Sequence, residues 1–312
     1  MNQSSNTIMS ARVSSLKKID SLCVDFEQAV FTYYPAMKLG VDTAVNFYID
    51  KLLVLAKRAM LKRPAVKDWV ITAPAYNTAP AAANLLCWKL FAALQKSLPE
   101  MYTVSLVDLR LDRELMEIND EKDFKRYYEY SNNSVEDRIR ERRKLHSKAD
   151  DICRHRESFS GRGVIVINDI KVTGTQQEFM SQSFSKVAPA CLDWLYIMNV
   201  DQELGKVNPG IEHQINNSSI QTLNEFKAVL RSSETQYTAR CISRLFTYDM
   251  DDFQLLLESL DPEKQQNILD YAIGEGRFEG AYFIEKLNVL KAFCEQPTVK
   301  QLTNRGAINA KN

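Results

Sequence analysis

The chain has 312 residues, and its 40 basic and 40 acidic side chains give a formal net charge of zero. That balance provides no bulk attraction to nucleic acid or to an anionic membrane, and no apolar run approaches the ~20 residues needed to span a bilayer. The length suits two domains, or one domain with a sizeable appendage.

The first twelve residues read as disordered. The opening segment is polar and lacks an apolar signal core, so export is not expected and a cytoplasmic location is. Six cysteines are widely spaced with no Cys-x-x-Cys pair and read as reduced thiols, and His146, His155 and His213 form no metal spacing. From Val13 to Met60 apolar residues recur at helical spacing (Leu22, Phe26, Val30 and Tyr33, then Ala44, Phe47, Leu52 and Leu55). Pro35 and Gly40 divide this into two helices, with Asp42 placed as an N-cap.

Residues 68–74 read as the first sheet strand, and Ala75, Tyr76, Asn77 and Thr78 lead through Pro80 into a helix over 81–94. Residues 103–107 make a second strand. The stretch 112–162 is dense in charge and lacks apolar rhythm, which suggests an excursion from the sheet. Within it, residues 134–144 suit a solvated helix carrying Arg138, Arg142 and Arg143.

The most informative stretch is 163–176. Val164 to Ile167 are all β-branched and read as a short strand buried on both faces, ending at Asn168 and Asp169. Thr173-Gly174-Thr175 then precede a helix from Gln176 to Val187, and residues 190–200 form another strand. Strand, helix and strand in that order make a βαβ unit with parallel pairing. The helix start offers unpaired amides and the positive end of a dipole, so the amides from Thr173 to Gln176 and the two hydroxyls can wrap a phosphate. Asp169, and more weakly Asn168, can bond vicinal ribose hydroxyls. A plain buried strand ending in a turn also accounts for these residues. Asp201 and Gln202 lie on the same rim, where Asp also serves as a turn residue.

The pattern of apolar strand, polar pair, spacer and Thr-Gly-Thr resembles the ribose-5-phosphate loop of the type I phosphoribosyltransferases. The segment Lys38-Leu39-Gly40-Val41-Asp42 with Phe47-Tyr48 is similar to a branch found near bacterial competence and conflict genes. The resemblance implies a parallel-sheet α/β phosphoribosyltransferase-like core with N-terminal helices and an all-helical C-terminal region, divided near 13–210 and 211–312. It implies that Asp169 and Asn168 hold the ribose hydroxyls, and that Thr173, Gly174, Thr175 and Gln176 hold the 5-phosphate. A loop of Ala75, Tyr76, Asn77 and Thr78 would take pyrophosphate, under a lid over 110–162 bearing Arg138, Arg142 and Arg143. The implied activity is transfer of the phosphoribosyl group from magnesium-chelated phosphoribosyl pyrophosphate to an unidentified acceptor, in a bacterial defence setting; magnesium is expected on the substrate, with no metal ligands on the chain.

Two residues depart from the family pattern. Asn168 stands where the family has a first acid, and Val172 where several members have a general base. A catalytically silent nucleotide sensor acting through a partner is therefore a competing expectation, and a related glycosyl-transfer or nucleotide-hydrolysing enzyme is a third. Short helices are expected over 218–230, 238–245, 252–260, 262–272 and 281–293. They form a region suited to docking on the sheet or to binding a protein partner, and a homo-oligomer is a further expectation. Neither a membrane nor nucleic acid is indicated as a partner.

Overall fold

Five parallel strands form one sheet among the residues that the computed structural model describes, which are 11–21, 25–111, 117–128 and 151–295. In chain order the strands are β1 (Arg12–Ile19), β2 (Asp68–Thr72), β3 (Thr103–Val107), β4 (Gly163–Lys171) and β5 (Cys191–Val200). Across the sheet they run β1-β5-β4-β2-β3. Helices α1 (Ala29–Thr32), α2 (Tyr34–Leu39) and α3 (Asp42–Leu61) follow β1, and α4 (Ala82–Ser97) joins β2 to β3. Helices α5 (Glu121–Tyr128), α6 (Asp151–Arg154) and α7 (Arg156–Phe159) lie between β3 and β4, and α8 (Thr175–Val187) joins β4 to β5. Next come α9 (Gln202–Val207) and α10 (Ile211–Asn216), then α11 (Leu223–Arg231), α12 (Ala239–Thr247), α13 (Met250–Glu258), α14 (Pro262–Glu275) and α15 (Ile284–Glu295).

Side-chain alternation along β4 explains its continuous apolar run. Ile165 and Ile167 share a core with Leu52 of α3 and Leu86 and Leu90 of α4. Val164 and Val166 point the other way, to Phe159, Phe184 and Val187. A third core lies among the C-terminal helices, where Phe226, Phe246, Phe253 and Phe278 pack with Leu39 of α2 and Ile118. Each side chain of that size contributes about 1.5–3 kcal/mol on burial. The helical region thus has a core of its own and is also joined to the sheet through α2.

Three expectations are corrected by the fold. Residues 12–19 form the edge strand β1, paired with β5 from Arg12↔Asp193 to Ile19↔Val200, where helical spacing pointed to a helix. Pro35 sits in the first turn of α2, where its fixed φ fits, and it starts that helix instead of breaking one. The central strand runs on through Asn168 and Asp169 to Lys171, because β5 still pairs with it there (Asn168↔Tyr196, Ile170↔Met198, Lys171↔Asn199).

The charged excursion also contributes to the core, since Ile118, Ile152 and Phe159 are buried. The proposed lid arginines Arg138, Arg142 and Arg143 lie outside the described residues. Among the described residues, five cysteines are free and no helix is long and apolar enough to cross a membrane.

Candidate functional site

The direction of the connections changes between β2 and β4. From β2 the chain crosses through α4 to β3 on one side, and from β4 it crosses through α8 to β5 on the other. Right-handed crossovers running in opposite directions put α4 and α8 on opposite faces and open a crevice beyond the carboxyl ends of β2 and β4. A cavity of about 270 Å³ lies there, close to the lower limit for small-molecule sites. Pro74 and Ala75 line it from β2, Asn168 to Thr175 from β4, and Lys38 and Glu212 from α2 and α10.

Gly174 makes the turn at the phosphate-loop end. Its φ of 76° lies in the left-handed region, and a Cβ there would meet Lys171 Cε at 3.2 Å. The turn brings the Thr173 and Thr175 hydroxyls together in a 2.9 Å hydrogen bond at the start of α8. Helix α8 has 13 residues, and its first residues, Thr175, Gln176 and Gln177, line the cavity; the Thr175 N–H donates to Thr173 Oγ1 at 3.4 Å. Lys171 lies beside this loop, and burial pulls its ammonium below the usual lysine range. A second, larger cleft of about 990 Å³ shares Lys171 to Gly174 as a wall and extends to Asn199, Asp201 and Gln202. Asp201 also caps α9, accepting from the amides of Glu203 and Leu204.

Asn168 and Asp169 are neighbours on a strand, so their side chains leave opposite faces of the sheet. Asn168 turns towards α8. Its amide donates to Gln176 Oε1 at 3.2 Å, and its Oδ1 accepts the Asp169 N–H at 2.9 Å. Asp169 turns towards α2, where Lys38 Nζ donates to Oδ2 at 2.5 Å; Oδ1 accepts the Ile170 N–H at 2.8 Å. Lys38 also donates to Glu212 at 3.3 Å. Burial by itself would raise the Asp169 carboxyl, but the Lys38 ammonium and the backbone donors outweigh it and hold the group below the usual carboxylate range. Burial would lower Lys38, and the Asp169 and Glu212 carboxylates reverse that and raise it.

The loop after β2 divides differently from the sequence expectation. Its two ends line the cavity through Pro74, Ala75, Ala81 and Ala83. Buried Asn84 staples those ends, donating to Pro74 O at 3.0 Å and accepting from Ala81 N–H at 2.9 Å. Tyr76 is only 5% exposed; its hydroxyl donates to Asp108 at 2.9 Å, and its amide bonds Leu109 O. The crest faces α14. Asn77 donates to Gly274 O at 3.1 Å, and the amides of Thr78 and Ala79 converge on Glu275 Oε1 at 3.2 and 3.0 Å. Gly274 permits that approach, since a Cβ there would lie 2.5 Å from Thr78 Cγ2. Arg277 pairs with the other oxygen of Glu275 at 3.2 Å.

The structure therefore gathers Ala75, Asn168, Asp169, Thr173, Gly174, Thr175 and Gln176 around one cavity, and places Tyr76, Asn77 and Thr78 against β3 and α14. Lys38, Glu212, Asn84 and Glu275 carry no local sequence signal for a place at the site. Of these, only Lys38 lies within a segment noted for its resemblance in the sequence, residues 38–48.

No three His, Cys, Asp or Glu side chains gather as a metal site among the described residues. The two carboxylates lining the cavity, Asp169 and Glu212, both face the Lys38 ammonium. This donor set does not fit a resident magnesium ion, which needs near-octahedral oxygen ligation.

A parallel sheet with a Thr-Gly-Thr loop at its switch point is the arrangement of a phosphoribosyltransferase-like α/β protein. The chain belongs to the PRTase ComF-like family, whose model matches residues 58–290. That match bears out the resemblance read from 163–176 and continues past 210 through the C-terminal helices into α15. No curated protein and no solved structure matches the chain.

Proposed function

We propose that this chain binds a ribose 5-phosphate ligand in the crevice between β2 and β4. The observation that carries the proposal is that Asp169 and the Thr173-Gly174-Thr175 turn meet in one cavity at the topological switch point. In this reading the threonine hydroxyls and the first amides of α8 take the 5-phosphate. The Asp169 carboxylate accepts from the ribose hydroxyls, and Lys38 keeps that carboxylate charged and fixed in place.

Two uses of the site follow. In the first, the ligand is phosphoribosyl pyrophosphate, and the phosphoribosyl group passes to an acceptor. The bond from the anomeric carbon to pyrophosphate breaks with its electrons leaving on pyrophosphate, a bond to the acceptor forms, and the acceptor loses a proton. Magnesium would neutralise the diphosphate, held by the donor's own oxygens and water. In the second, a nucleotide is held without transfer and the helical region passes the bound state to a protein partner.

Specific observations favour the second use. Asn168 is spent on Gln176 and on the backbone, and Asp169 is already neutralised by Lys38. Val172 supplies no base. A bacterial defence role is proposed on the resemblance of the 38–48 segment alone.

Calorimetry with ribose 5-phosphate on the full chain tests binding, with Thr173→Val as the comparison. Silent titrations at millimolar ligand would end the proposal. Release of pyrophosphate from phosphoribosyl pyrophosphate on adding a panel of bases separates transfer from retention.

A further inference from the structure

Three polar side chains stand in a row along the larger cleft. At the carboxyl ends of three neighbouring strands, the register sets Lys18 of β1 opposite Asn199 of β5, and Asn199 opposite Lys171 of β4. Register partners point to the same face of a sheet, so the two lysines flank one carboxamide, their backbones about 10 Å apart across two strand spacings. All three residues line the cleft of about 990 Å³. Among the described residues, none of these three side chains has a hydrogen-bond or ion-pair partner. Burial draws the Lys171 ammonium below the usual lysine range, and no carboxylate offsets it. From α8, Ser181 lines the same cleft, and its hydroxyl is buried without a partner.

The acids around the cleft do not neutralise the row. Asp20 and Glu178 are exposed, where water screens them, and Asp201 is committed to capping α9. What remains is a half-buried ammonium, an amide and a buried hydroxyl with free donors, and an anion satisfies such a set. We infer that the larger cleft is a second ligand site, which takes a hydroxylated organic anion. The carboxylate or phosphate of that ligand sits between Lys18 and Lys171 over the Asn199 amide, and Ser181 bonds a hydroxyl of its body. Small-molecule sites run up to about 1,000 Å³, so the cleft has room for the body as well as the charged head. The smaller cavity shares only Lys171 to Gly174 and Gln177 with this cleft; Lys18, Asn199 and Ser181 lie outside it. The second site therefore goes beyond the ribose 5-phosphate reading and stands without it.

The test is calorimetry on the full chain at about 0.15 M salt, with the smaller cavity first saturated with ribose 5-phosphate. Malate supplies the carboxylate arm and glycerol 3-phosphate the phosphate arm. At least one of the two is expected to bind with a Kd of about 1 mM or tighter, and Lys18→Met and Asn199→Ala are each expected to weaken it about tenfold. Ser181→Ala, which loses a bond to a neutral hydroxyl, is expected to weaken it about threefold. Lys18 is exposed and the Asn199 side chain is unbonded, so neither change threatens the fold, and ribose 5-phosphate affinity is expected to stay within about twofold in both. Binding of neither anion, or binding that survives Lys18→Met and Asn199→Ala undiminished, overturns the inference and leaves the ribose 5-phosphate reading standing. Anion binding that depends on Lys18 and Asn199, beside a silent ribose 5-phosphate titration, removes that reading and upholds the second site.

Discussion

Lys38 Nζ lies 2.5 Å from Asp169 Oδ2, joining α2 to the middle of the sheet across 131 positions of sequence. Both side chains are largely buried, so removing one partner strands a charge in a poorly solvated place. Lys38→Met is expected to destabilise the fold by about 3–5 kcal/mol, and the double variant Lys38→Met/Asp169→Asn to recover much of that loss. Urea denaturation of the two variants checks this; equal losses in both would mean that the pair is not coupled.

The same pair sets a pH dependence. The folded Asp169 carboxyl lies below its unfolded value, so its contribution is complete above about pH 4 and is lost as pH falls through the folded value. Lys38 is raised, so its contribution is complete below about pH 10 and is lost as pH rises through the folded value. The melting-temperature gap between wild type and the double variant should stay level from about pH 5 to 9 and narrow at both extremes. A gap that changes steadily across neutral pH would assign the linkage to other groups.

Thr173→Val and Thr175→Val each remove one hydroxyl from the cradle while keeping shape. A hydrogen bond to a charged group is worth about 1.5–3 kcal/mol, so each change should weaken ribose 5-phosphate binding roughly 10- to 100-fold. Calorimetry gives the affinities. Unaltered binding in both would move the phosphate elsewhere.

Gly174→Ala forces an L residue to φ 76° and brings its Cβ within 3.2 Å of the Lys171 stem. A loss of about 1–2 kcal/mol in stability is expected from the left-handed backbone, together with weaker phosphate binding as the turn distorts. Denaturant titration and calorimetry on one preparation read both effects.

Glu275→Ala leaves Arg277 without its carboxylate and two loop amides without an acceptor, at a cost of about 3–5 kcal/mol. Glu275→Gln keeps an acceptor for the amides and loses only the charge, so its melting temperature should fall between those of wild type and the alanine variant. A glutamine variant as unstable as alanine would assign the whole effect to the ion pair.

Local periodicity carried much of this structure. The β-branched run of β4, the helix from 175 to 187 and the strand after it are visible because each is set by near neighbours and by burial on both faces. The C-terminal helices could be read for the same reason, with Asp261-Pro262 marking the start of α14. β1 could not: Val13, Leu16 and Ile19 recur every third residue, a helical rhythm, and only the partner strand β5 makes them extended. At the site, Asp169 and the threonine turn were legible because they lie on one loop. Lys38, Glu212 and Glu275 come from distant helices, and nothing in their own surroundings announces where the fold takes them.

The pairing of β1 with β5 has a consequence for synthesis. Arg12 leaves the ribosome long before Asp193, its neighbour in the sheet, has been translated. At about 5–20 residues per second, the opening strand waits roughly ten to forty seconds with no template to lie against. Lys17 and Lys18, near the end of that strand, suit the interval, since charge on an unpaired edge discourages it from annealing to a neighbouring nascent chain.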